Sequence, residues 1–360
     1  MGQQPKVYIW ALHSAEIYMR RCLELALLGA GHVAPNPMVG SVLVYKDRII
    51  GEGYHRQYGQ AHAEVNCIAS VKPEDKELIP FSTIYVSLEP CAHWGKTPPC
   101  ADLIIEKRIP RVVVGCRDPF PLVNGKGIER LRAAGVEVTL GVLEKECVML
   151  NKRFFTFNTL HRPFVVLKWA QSLNGKMGGG QERVLISNEY SNRLVHKWRS
   201  EESAILVGTN TALLDDPALT VRLWEGQHPV RLVIDKTLRL PLSLRLFDGT
   251  VKTVVFNLQR HGEGDNVLYY RLSEEGSLLS QMMTVLYEMK IQSVLVEGGA
   301  QLLQSFLDEG TWDEARVITN EKMQLPGGVA APVIEDAVLM SGQRWLTDMI
   351  HFYKNPISLF

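Results

Sequence analysis

The apolar residues of this chain recur with two periods, one typical of helices and the other of strands. From Ser14 to Leu28 they follow helical spacing with charged residues between them, which predicts an amphipathic helix. Short β-rich runs follow, separated by turn residues. Strands are predicted at 39–44, 49–54, 83–88, 111–115 and 136–139, and helices from His62, at 101–107 and at 127–134. Strands that alternate with helices predict an α/β layered domain with parallel strand pairs.

The second half of the chain repeats this alternation. A charged, helical stretch from Leu143 to Thr159 leads to His161-Arg162-Pro163, where a new set of elements begins. Further β-rich runs are predicted at 164–169, 204–207, 230–234, 253–257 and 293–296. Because 360 residues exceed the usual size of one domain, we expect two α/β domains, one in residues 1–150 and one in residues 151–360.

Composition and charge narrow the class of protein. Hydrophobic residues make up 46% and charged residues 22% of the chain, which is typical of a folded globular protein. The 39 basic and 39 acidic residues cancel, so the broad positive surface that nucleic-acid binding needs is not expected. We therefore expect a small-molecule substrate and neither nucleic acid nor membrane as a partner. The sequence does not determine the oligomeric state, and it is compatible with a homo-oligomer.

The cysteines and the N-terminal segment bear on the cellular compartment. Met1 to Leu12 lacks the basic leader and long apolar core of a secretory signal, and no segment approaches the roughly 20 apolar residues of a membrane span. We therefore expect a cytoplasmic protein. Its six cysteines are then expected to be thiols or metal ligands rather than a disulfide framework.

Four residues together have the composition of a catalytic zinc site. His62 and Glu64 lie at a predicted helix start, and Cys91 and Cys100 follow a predicted strand. One imidazole and two thiolates make three protein ligands, which leaves the fourth tetrahedral position for water. Glu64 is then the expected proton carrier, as in the signature of zinc nucleobase deaminases, His-x-Glu followed by Pro-Cys-x-x-Cys.

Two other interpretations of these residues stay open at this point. Each residue alone is more simply a buried thiol or a helix-capping histidine. A structural zinc would need a fourth protein ligand, and His93 lies close enough in sequence to supply one. The spacing also departs from the signature, because eight residues separate Cys91 from Cys100 instead of two.

This long insert resembles that of a known family. Residues Pro90 to Cys100, with Ala61-His62-Ala63-Glu64 and Asn36-Pro37, resemble the bifunctional deaminase-reductases of riboflavin biosynthesis, the RibD or RibG family. The resemblance implies a cytidine-deaminase-like, three-layer α/β/α domain that uses Zn²⁺ to deaminate 2,5-diamino-6-ribosylamino-4(3H)-pyrimidinone 5′-phosphate. The residues it implies for the pyrimidine and its ribose phosphate are Asn36, His55, His93, Lys96 and Thr97.

The resemblance extends over nearly the whole chain. In the second half it is carried by strings such as Ser172-Leu173-Asn174-Gly175-Lys176 and Val296-Glu297-Gly298-Gly299, and by residues 215–222. It implies a dihydrofolate-reductase-like α/β domain that reduces the ribosyl chain with NADPH. The implied substrate residues are Arg183, Arg199, Leu219, Arg222 and Glu297, with Lys168 as the catalytic residue. The implied cofactor residues are Ala170, Leu185, Thr211, Asp215, Gly299, Ala300, Gln301, Leu302, Leu303, Gln304 and Ser305.

The two arginines Arg199 and Arg222 are expected to grip the ribose phosphate, because a planar guanidinium can hold a phosphate through two hydrogen bonds. The chain departs from the family pattern at Asn174, where aspartate is usual, at Leu185, where an aromatic residue is usual, and at Pro326-Gly327-Gly328. Two rival functions are a nucleoside or tRNA deaminase with an unrelated C-terminal domain, and a zinc-stabilised binding protein without catalysis.

Overall fold

The computed structural model describes residues 7–94, 98–121, 123–178 and 184–360, and residues 7–14 without their side chains. The chain divides into a first unit, Met1–Thr159, and a second unit, Leu160–Phe360. Each unit contains its own sheet with helices, so the prediction of two α/β domains is confirmed. The assignment of one activity to residues 1–150 and the other to residues 151–360 stays a prediction. Among the described residues, no helix has the length and apolar character required to cross a membrane.

The first unit is built on a five-stranded sheet of order β2-β1-β3-β4-β5. Its strands are β1 (Gly40–Tyr45), β2 (Arg48–Tyr54), β3 (Thr83–Leu88), β4 (Arg111–Cys116) and β5 (Glu137–Leu140). Strand β1 is antiparallel to both β2 and β3, whereas β3, β4 and β5 are parallel. The helices up to residue 160 are α1 (Val7–Leu27), α2 (Ala63–Ala69), α3 (Cys100–Glu106), α4 (Lys126–Ala133), α5 (Glu144–Leu150) and α6 (Lys152–Leu160), with a 3₁₀ helix at Pro73–Phe81.

Glycines in β1 and β2 show how helices cover both faces of this sheet. A Cβ added at Gly40 would lie 1.9 Å from the carbonyl oxygen of Cys22 in α1. A Cβ added at Gly53 would lie 2.2 Å from the backbone nitrogen of Cys67 in α2. Gly40 pairs with Tyr54, the neighbour of Gly53, and consecutive strand residues face opposite sides of a sheet. Helices α1 and α2 therefore pack on opposite faces, which confirms the three-layer α/β/α arrangement.

The second unit contains a ten-stranded sheet of order β10-β11-β9-β8-β7-β12-β6-β13-β15-β14. Its strands are β6 (Phe164–Ser172), β7 (Ala204–Gly208), β8 (Val230–Ile234), β9 (Thr253–Asn257), β10 (Gly262–Gly264), β11 (Val267–Arg271), β12 (Ser293–Val296), β13 (Glu314–Asn320), β14 (Val338–Trp345) and β15 (Asp348–Lys354). The seven strands from β11 to β13 in this order are parallel, and β10, β15 and β14 are antiparallel to their neighbours. Its helices are α7 (Glu189–Glu201), α8 (Thr209–Asp215), α9 (Leu278–Glu288) and α10 (Ala300–Asp308), with a 3₁₀ helix at Arg245–Phe247.

The central strand β6 shows where the cores of the second unit lie. Val165 and Leu167 belong to one buried apolar cluster, and Phe164 and Val166 to another. Because alternate residues of a strand face opposite sides, these clusters lie on the two faces of the sheet. Burial on both faces is what a parallel sheet requires, and it explains why the parallel strands appear in the sequence as continuous apolar runs.

Candidate active sites

Three potential metal ligands of the first unit lie at the ends of secondary-structure elements. His62 directly precedes α2 in extended conformation, Cys100 is the first residue of α3, and Cys91 follows β3. The backbone N–H of Cys100 donates a hydrogen bond to the sulfur of Cys91 over 3.3 Å, and the N–H of Ala101 donates to the carbonyl of Cys91 over 3.1 Å. These bonds hold the two ends of the insert together, so the eight intervening residues do not separate the cysteines in space.

The distances between these ligand atoms fit a tetrahedral zinc ion. The Nδ1 atom of His62 lies 3.6 Å from the sulfur of Cys91 and 3.4 Å from the sulfur of Cys100. Zinc bonds of about 2.3 Å to sulfur and about 2.0 Å to nitrogen at tetrahedral angles place the two ligand atoms roughly 3.5 Å apart. In the part of the chain that the structure describes, these three residues are the group able to hold a metal, and His93 does not belong to it. A structural zinc with His93 as its fourth ligand is therefore not supported.

The electrostatic environment of these residues suits metal binding and proton transfer. Hydrogen bonds from Cys100, together with the nearby His62, lower the pKa of the Cys91 thiol to about 4, which favours the thiolate form that binds metals. Glu64 lies in the first turn of α2 and is 3% exposed. Burial, reinforced by the charge of Cys91, raises its pKa to about 7. A carboxyl group that titrates near neutral pH can both accept and donate a proton.

Two of the predicted substrate residues adjoin this cluster. The buried His55 lies with its Nε2 atom 3.1 Å from the amide nitrogen of Asn36 and its Nδ1 atom 3.1 Å from the carbonyl of Ala61. Burial lowers the pKa of His55, so the neutral ring donates from Nδ1 to Ala61 and accepts from Asn36 at Nε2. Its ring also lies edge-on to that of His62, with centroids 5.4 Å apart. His55 therefore orients Asn36 next to the potential metal ligands.

The insert contains three further predicted substrate residues, His93, Lys96 and Thr97. His93 is half-buried beside Phe120, with ring centroids 6.2 Å apart, and its buried Nδ1 atom has no hydrogen-bond partner among the described residues. Lys96 and Thr97 lie outside the described residues. Their predicted contact with the ribose phosphate stays a prediction.

Glu89 supports the site and was not found from the sequence. Its buried carboxylate accepts four hydrogen bonds, with nitrogen–oxygen distances of 3.0 to 3.3 Å, from the backbone N–H groups of Asp118, Gly125, Gly127 and Ile128. A Cβ at Gly127 would lie 1.9 Å from the carbonyl oxygen of Pro90, so only glycine permits this approach. Glu89 thereby fixes the segment that leads into Cys91 against the start of α4. The sequence signal was the Glu89-Pro90-Cys91 string itself, but its partners lie 29 to 39 residues away.

In the second unit, three charged residues from distant parts of the chain form one cluster. Arg199 of α7 donates two hydrogen bonds of 2.7 Å to the carboxylate of Glu297, which follows β12. Burial opposes ionisation of Glu297, but Arg199 and Lys168 together lower its pKa to about 2. Burial lowers the pKa of Lys168, and among the described contacts its ammonium group makes no hydrogen bond or ion pair. Lys168 is therefore available to a ligand.

The segment from Leu219 to Arg222 passes beside this cluster. Arg199 donates a third hydrogen bond, from Nη1 to the carbonyl of Thr220 over 3.3 Å. Arg199 is thus engaged with Glu297 and Thr220, and the phosphate contacts expected for Arg199 and Arg222 stay a prediction. Leu219 has φ of 50° and a side chain buried in the core, so only its backbone can face a substrate. Arg183 lies outside the described residues.

Two of the predicted cofactor residues, Thr211 and Gly299, lie together just beyond the carboxyl ends of β7 and β12. The backbone N–H of Gly208 donates to the carbonyl of Gly298 over 2.9 Å, and a Cβ added at Gly299 would lie 3.2 Å from Oγ1 of Thr211. Helices α8 and α10 therefore begin side by side, each directly after a glycine. The N–H groups of a helix's first turn have no partner within the helix and attract phosphate, so the α10 terminus fits a dinucleotide phosphate.

The other residues predicted to bind the cofactor differ in their burial and in their hydrogen bonds within the protein. Ala170 is half-buried on β6, and Asp215 ends α8. Leu303 is fully buried in the core, Ser305 donates to the carbonyl of Gln301, and Gln304 donates to Asp308. The predicted sites Ala300 and Leu302 lie in the first turn of α10, whereas the side chain of Leu185 is 65% exposed, and no described contact joins it to this group. The helix start from Gly299 to Gln301 is thus the part best placed for the cofactor.

Comparisons with known proteins define the class. The family model of the cytidine and deoxycytidylate deaminase zinc-binding region matches residues 12–116, and that of the RibD C-terminal domain matches residues 163–336. With the fold and the two sites, these matches define a bifunctional enzyme that joins a zinc-dependent deaminase to a reductase. The chain belongs to the RibD family of riboflavin biosynthesis proteins. Zinc and NADPH, the predicted cofactors, are those of this family, and the match of the second half to the RibD C-terminal domain does not favour an unrelated C-terminal domain.

Individual relatives cover most of the chain. The riboflavin biosynthesis protein RibD of Aquifex aeolicus is 41% identical over 317 residues, which are 86% of this chain and 88% of the relative. A solved structure from Thermotoga maritima, a diaminohydroxyphosphoribosylaminopyrimidine deaminase/5-amino-6-(5-phosphoribosylamino)uracil reductase, matches with a TM-score of 0.87 and 36% identity over 96% of this chain and 99% of that one. RibD of Acinetobacter baumannii matches with a TM-score of 0.86 and 31% identity over 95% and 99% of the two chains.

Proposed function

We propose that the first unit removes the ring amino group of 2,5-diamino-6-ribosylamino-4(3H)-pyrimidinone 5′-phosphate by hydrolysis. The second unit then reduces the ribosyl chain of the product to give 5-amino-6-ribitylamino-uracil 5′-phosphate. The observation that carries this proposal is the placement of the buried Glu64 beside the three ligands His62, Cys91 and Cys100. The substrates named for the Thermotoga maritima relative support the choice of pyrimidine.

In deamination, one water molecule replaces the amino group with a carbonyl and ammonia leaves. His62, Cys91 and Cys100 would hold a zinc ion, which would supply Lewis-acid activation of that water. Glu64 transfers the two protons of this water in turn, the first to the ring nitrogen and the second to the departing amine, because its pKa of about 7 lets it both accept and donate a proton. His55 accepts one hydrogen bond from the Asn36 amide, which leaves the rest of that amide to pair with the polar edge of the pyrimidine.

In reduction, a hydride and a proton are added to the opened ribose chain. The start of α10 would hold a phosphate of NADPH, which would supply the hydride. Lys168 provides the proton at the imine carbon–nitrogen group of the substrate, since burial lowers the pKa of its ammonium group. Arg222 binds the substrate phosphate, while Arg199 and Glu297 hold each other beside Lys168.

The direct test supplies the phosphoribosyl diaminopyrimidine to the zinc-loaded protein and follows the release of ammonia and then the loss of NADPH absorbance. We expect ammonia release first and NADPH oxidation second, with one equivalent of each. Cytidine and a tRNA anticodon stem serve as control substrates and should release no ammonia. Ammonia from a control but not from the phosphoribosyl pyrimidine would contradict the proposal.

We also propose that the protein acts in the cytoplasm as a homo-oligomer. All six cysteines are free thiols, as expected in a reducing compartment. The edge strand β14 is exposed along its whole length, including Val338, Leu339 and Met340, and such an apolar edge favours pairing with another copy. Cell fractionation tests the cytoplasmic location, and light scattering after gel filtration tests the oligomeric state. A monomer at micromolar concentration would contradict the proposed homo-oligomer.

A further inference from the structure

Side chains hold three consecutive residues beside the reductase cluster by their backbone atoms. Arg199 donates to the carbonyl of Thr220, as described above. The backbone N–H of Val221 donates to Nδ1 of His228 over 3.2 Å, and the backbone N–H of Arg222 donates to Nδ1 of His196 over 2.9 Å. The side chain of Arg222 bends back to donate to the hydroxyl of Thr220 over 2.9 Å. The direction of the Arg222 guanidinium therefore depends on how this short backbone segment is held.

The bond to His196 requires a neutral imidazole. A ring nitrogen can accept a hydrogen bond only when it carries no proton, so His196 must hold its single proton on Nε2. His196 is 6% exposed on α7, and the charged groups that act on it are Arg199 of the same helix, Arg222, Lys168 of β6 and Glu297 after β12. Burial and the three cations outweigh Glu297 and lower the pKa of His196 to about 4. The acceptor form therefore persists throughout the neutral range.

We propose that His196 is a positioning residue of the reductase, which fixes the backbone at Arg222 and thereby aims the Arg222 guanidinium at the substrate phosphate. This proposal rests on the phosphate-binding role given above to Arg222. His196 acts through the hydrogen bond that its Nδ1 atom accepts from the backbone N–H of Arg222. When His196 is protonated, it loses the acceptor and adds a further cation beside Arg199 and Lys168, so the segment is released and substrate binding weakens.

His228 provides an internal comparison. It makes the same kind of bond, from a backbone N–H to Nδ1, to the residue directly before Arg222. His228 is exposed, however, whereas His196 is buried. Water can replace an exposed acceptor at little cost, but a buried N–H group that loses its partner is left unpaired. We therefore expect substitution by alanine to disturb the segment at His196 and to have little effect at His228.

The experiment compares three variants of the full-length enzyme, His196→Ala, His196→Asn and His228→Ala, in reduction of the deaminated substrate. His196→Ala should raise the KM for the pyrimidine phosphate about tenfold and change kcat less than threefold, because the interaction contributes to binding. In His196→Asn, the amide oxygen can replace Nδ1 and cannot be protonated. Its KM at pH 7.5 should stay near that of the wild type, and it should lack the rise in KM that we expect for the wild type below pH 5. His228→Ala should keep KM within about twofold.

Several results would overturn the proposal: an unchanged KM in His196→Ala, an equal rise in His228→Ala, or the same acid rise in His196→Asn as in the wild type. A purely structural role would lower the active fraction without changing KM. Hydrogen exchange of a peptide covering residues 219–222 gives a second measurement that needs no activity. Exchange there should be faster in His196→Ala than in the wild type and His228→Ala, and equal exchange would refute the proposal. If the wild type fails to oxidise NADPH, the proposed reduction fails, while hydrogen exchange still decides the role of His196.

Discussion

The two units assemble their chemistry in different ways. In the first unit, the site comes from residues close in sequence, with His62 and Glu64 at one helix start and Cys91 and Cys100 at the two ends of one loop. In the second unit, Arg199 and Glu297 are 98 residues apart, and Lys168 comes from a third segment. The first site needs a metal ion to balance its thiolates, whereas Glu297 already balances cations in the second. The comparison shows that a short motif can identify a metal site, while a site of mutually paired charges depends on the whole sheet.

Removal of the metal should produce the largest difference between the activities of the two units. Dialysis against a chelator should reduce ammonia release to the background rate, because the thiolates and His62 have no other function in that site. NADPH oxidation with the already deaminated substrate should stay within about twofold of the untreated enzyme, since the second site contains its own counter-charge. Restored ammonia release on addition of zinc is the control. Equal loss of both activities would contradict the comparison.

Substitution of Glu297 should have the largest effect on stability. In Glu297→Gln, Arg199 and Lys168 become buried cations without a balancing carboxylate, so the free energy of unfolding of the second unit should fall by about 3–5 kcal/mol. Urea denaturation followed by circular dichroism measures this change, and ammonia release should persist. The matched control is Glu321→Gln, which breaks an exposed pair with Arg344 and should cost less than about 1 kcal/mol. Similar losses for the two variants would refute the argument from burial.

The acid dependence of Glu297 has a definite sign. Its pKa is lowered to about 2 in the folded protein, below its ordinary value of 4.5. The charged form therefore stabilises the fold fully above pH 4.5, and this contribution is lost as the pH falls from 4.5 through 2. The Glu297→Gln variant should lack this part of the pH dependence of unfolding.

Substitution of Glu89 should produce a smaller, local effect in the first unit. Each carboxylate oxygen of Glu89 accepts two backbone N–H groups, and glutamine retains only one oxygen. Glu89→Gln should therefore cost about 2–3 kcal/mol of unfolding free energy, because two buried N–H groups lose their acceptor. Zinc affinity, measured by competition with a chromogenic chelator, should fall about tenfold because the segment into Cys91 is loosened. The control Glu129→Gln alters an exposed residue of α4 and should change neither quantity, and an unchanged affinity in Glu89→Gln would exclude a role in holding Cys91.

The smallest predicted effect concerns Asn174, which stands where the family usually has aspartate. Its amide nitrogen donates to the carbonyl of Leu325 over 2.9 Å, and its oxygen accepts from the N–H of Leu325 over 3.2 Å. Its oxygen also accepts from the hydroxyl of Ser172 over 2.7 Å. Aspartate could keep both accepted bonds and would lose only the donated one, so Asn174→Asp should cost about 1 kcal/mol or less at this exposed position. Thermal unfolding and NADPH oxidation measure the change. A large loss of reduction would instead indicate that the amide contacts the substrate or cofactor.

Much of this contrast between the units is already present in the sequence. The strand predicted at 83–88 is β3, and the strand predicted at 39–44 differs from β1 by one residue, because buried parallel and central strands give continuous apolar runs. The zinc ligands were predictable for a similar reason, since each lies in a short string beside a recognisable helix or strand. The pattern missed five strands of the second unit, β10, β11, β13, β14 and β15. In β14 the residues are exposed on both faces and so show no alternation.

Contacts made over long distances in the chain were not predictable from pattern. The four N–H groups around Glu89 come together only after α4 has packed. The hydrogen-bond partner of His196 is the backbone N–H of Arg222, and a backbone group leaves no signal in the residue type. The helical stretch expected from Leu143 to Thr159 is divided at Asn151, whose side chain bonds both backbone atoms of Met38. The ion pair between Arg199 and Glu297 joins residues 98 positions apart and likewise could not be read from the sequence.

The most direct test of the central claim measures the Glu64→Gln variant of the full-length, zinc-loaded enzyme with each substrate in turn. Glutamine keeps the shape of Glu64 but cannot carry the proton, so ammonia release should fall by about 10²–10⁴-fold. Zinc content, measured by atomic absorption, and NADPH oxidation with the deaminated substrate should match the wild type. Ammonia release at the wild-type rate would contradict the account, because Glu64 would then not be the proton carrier of the first site.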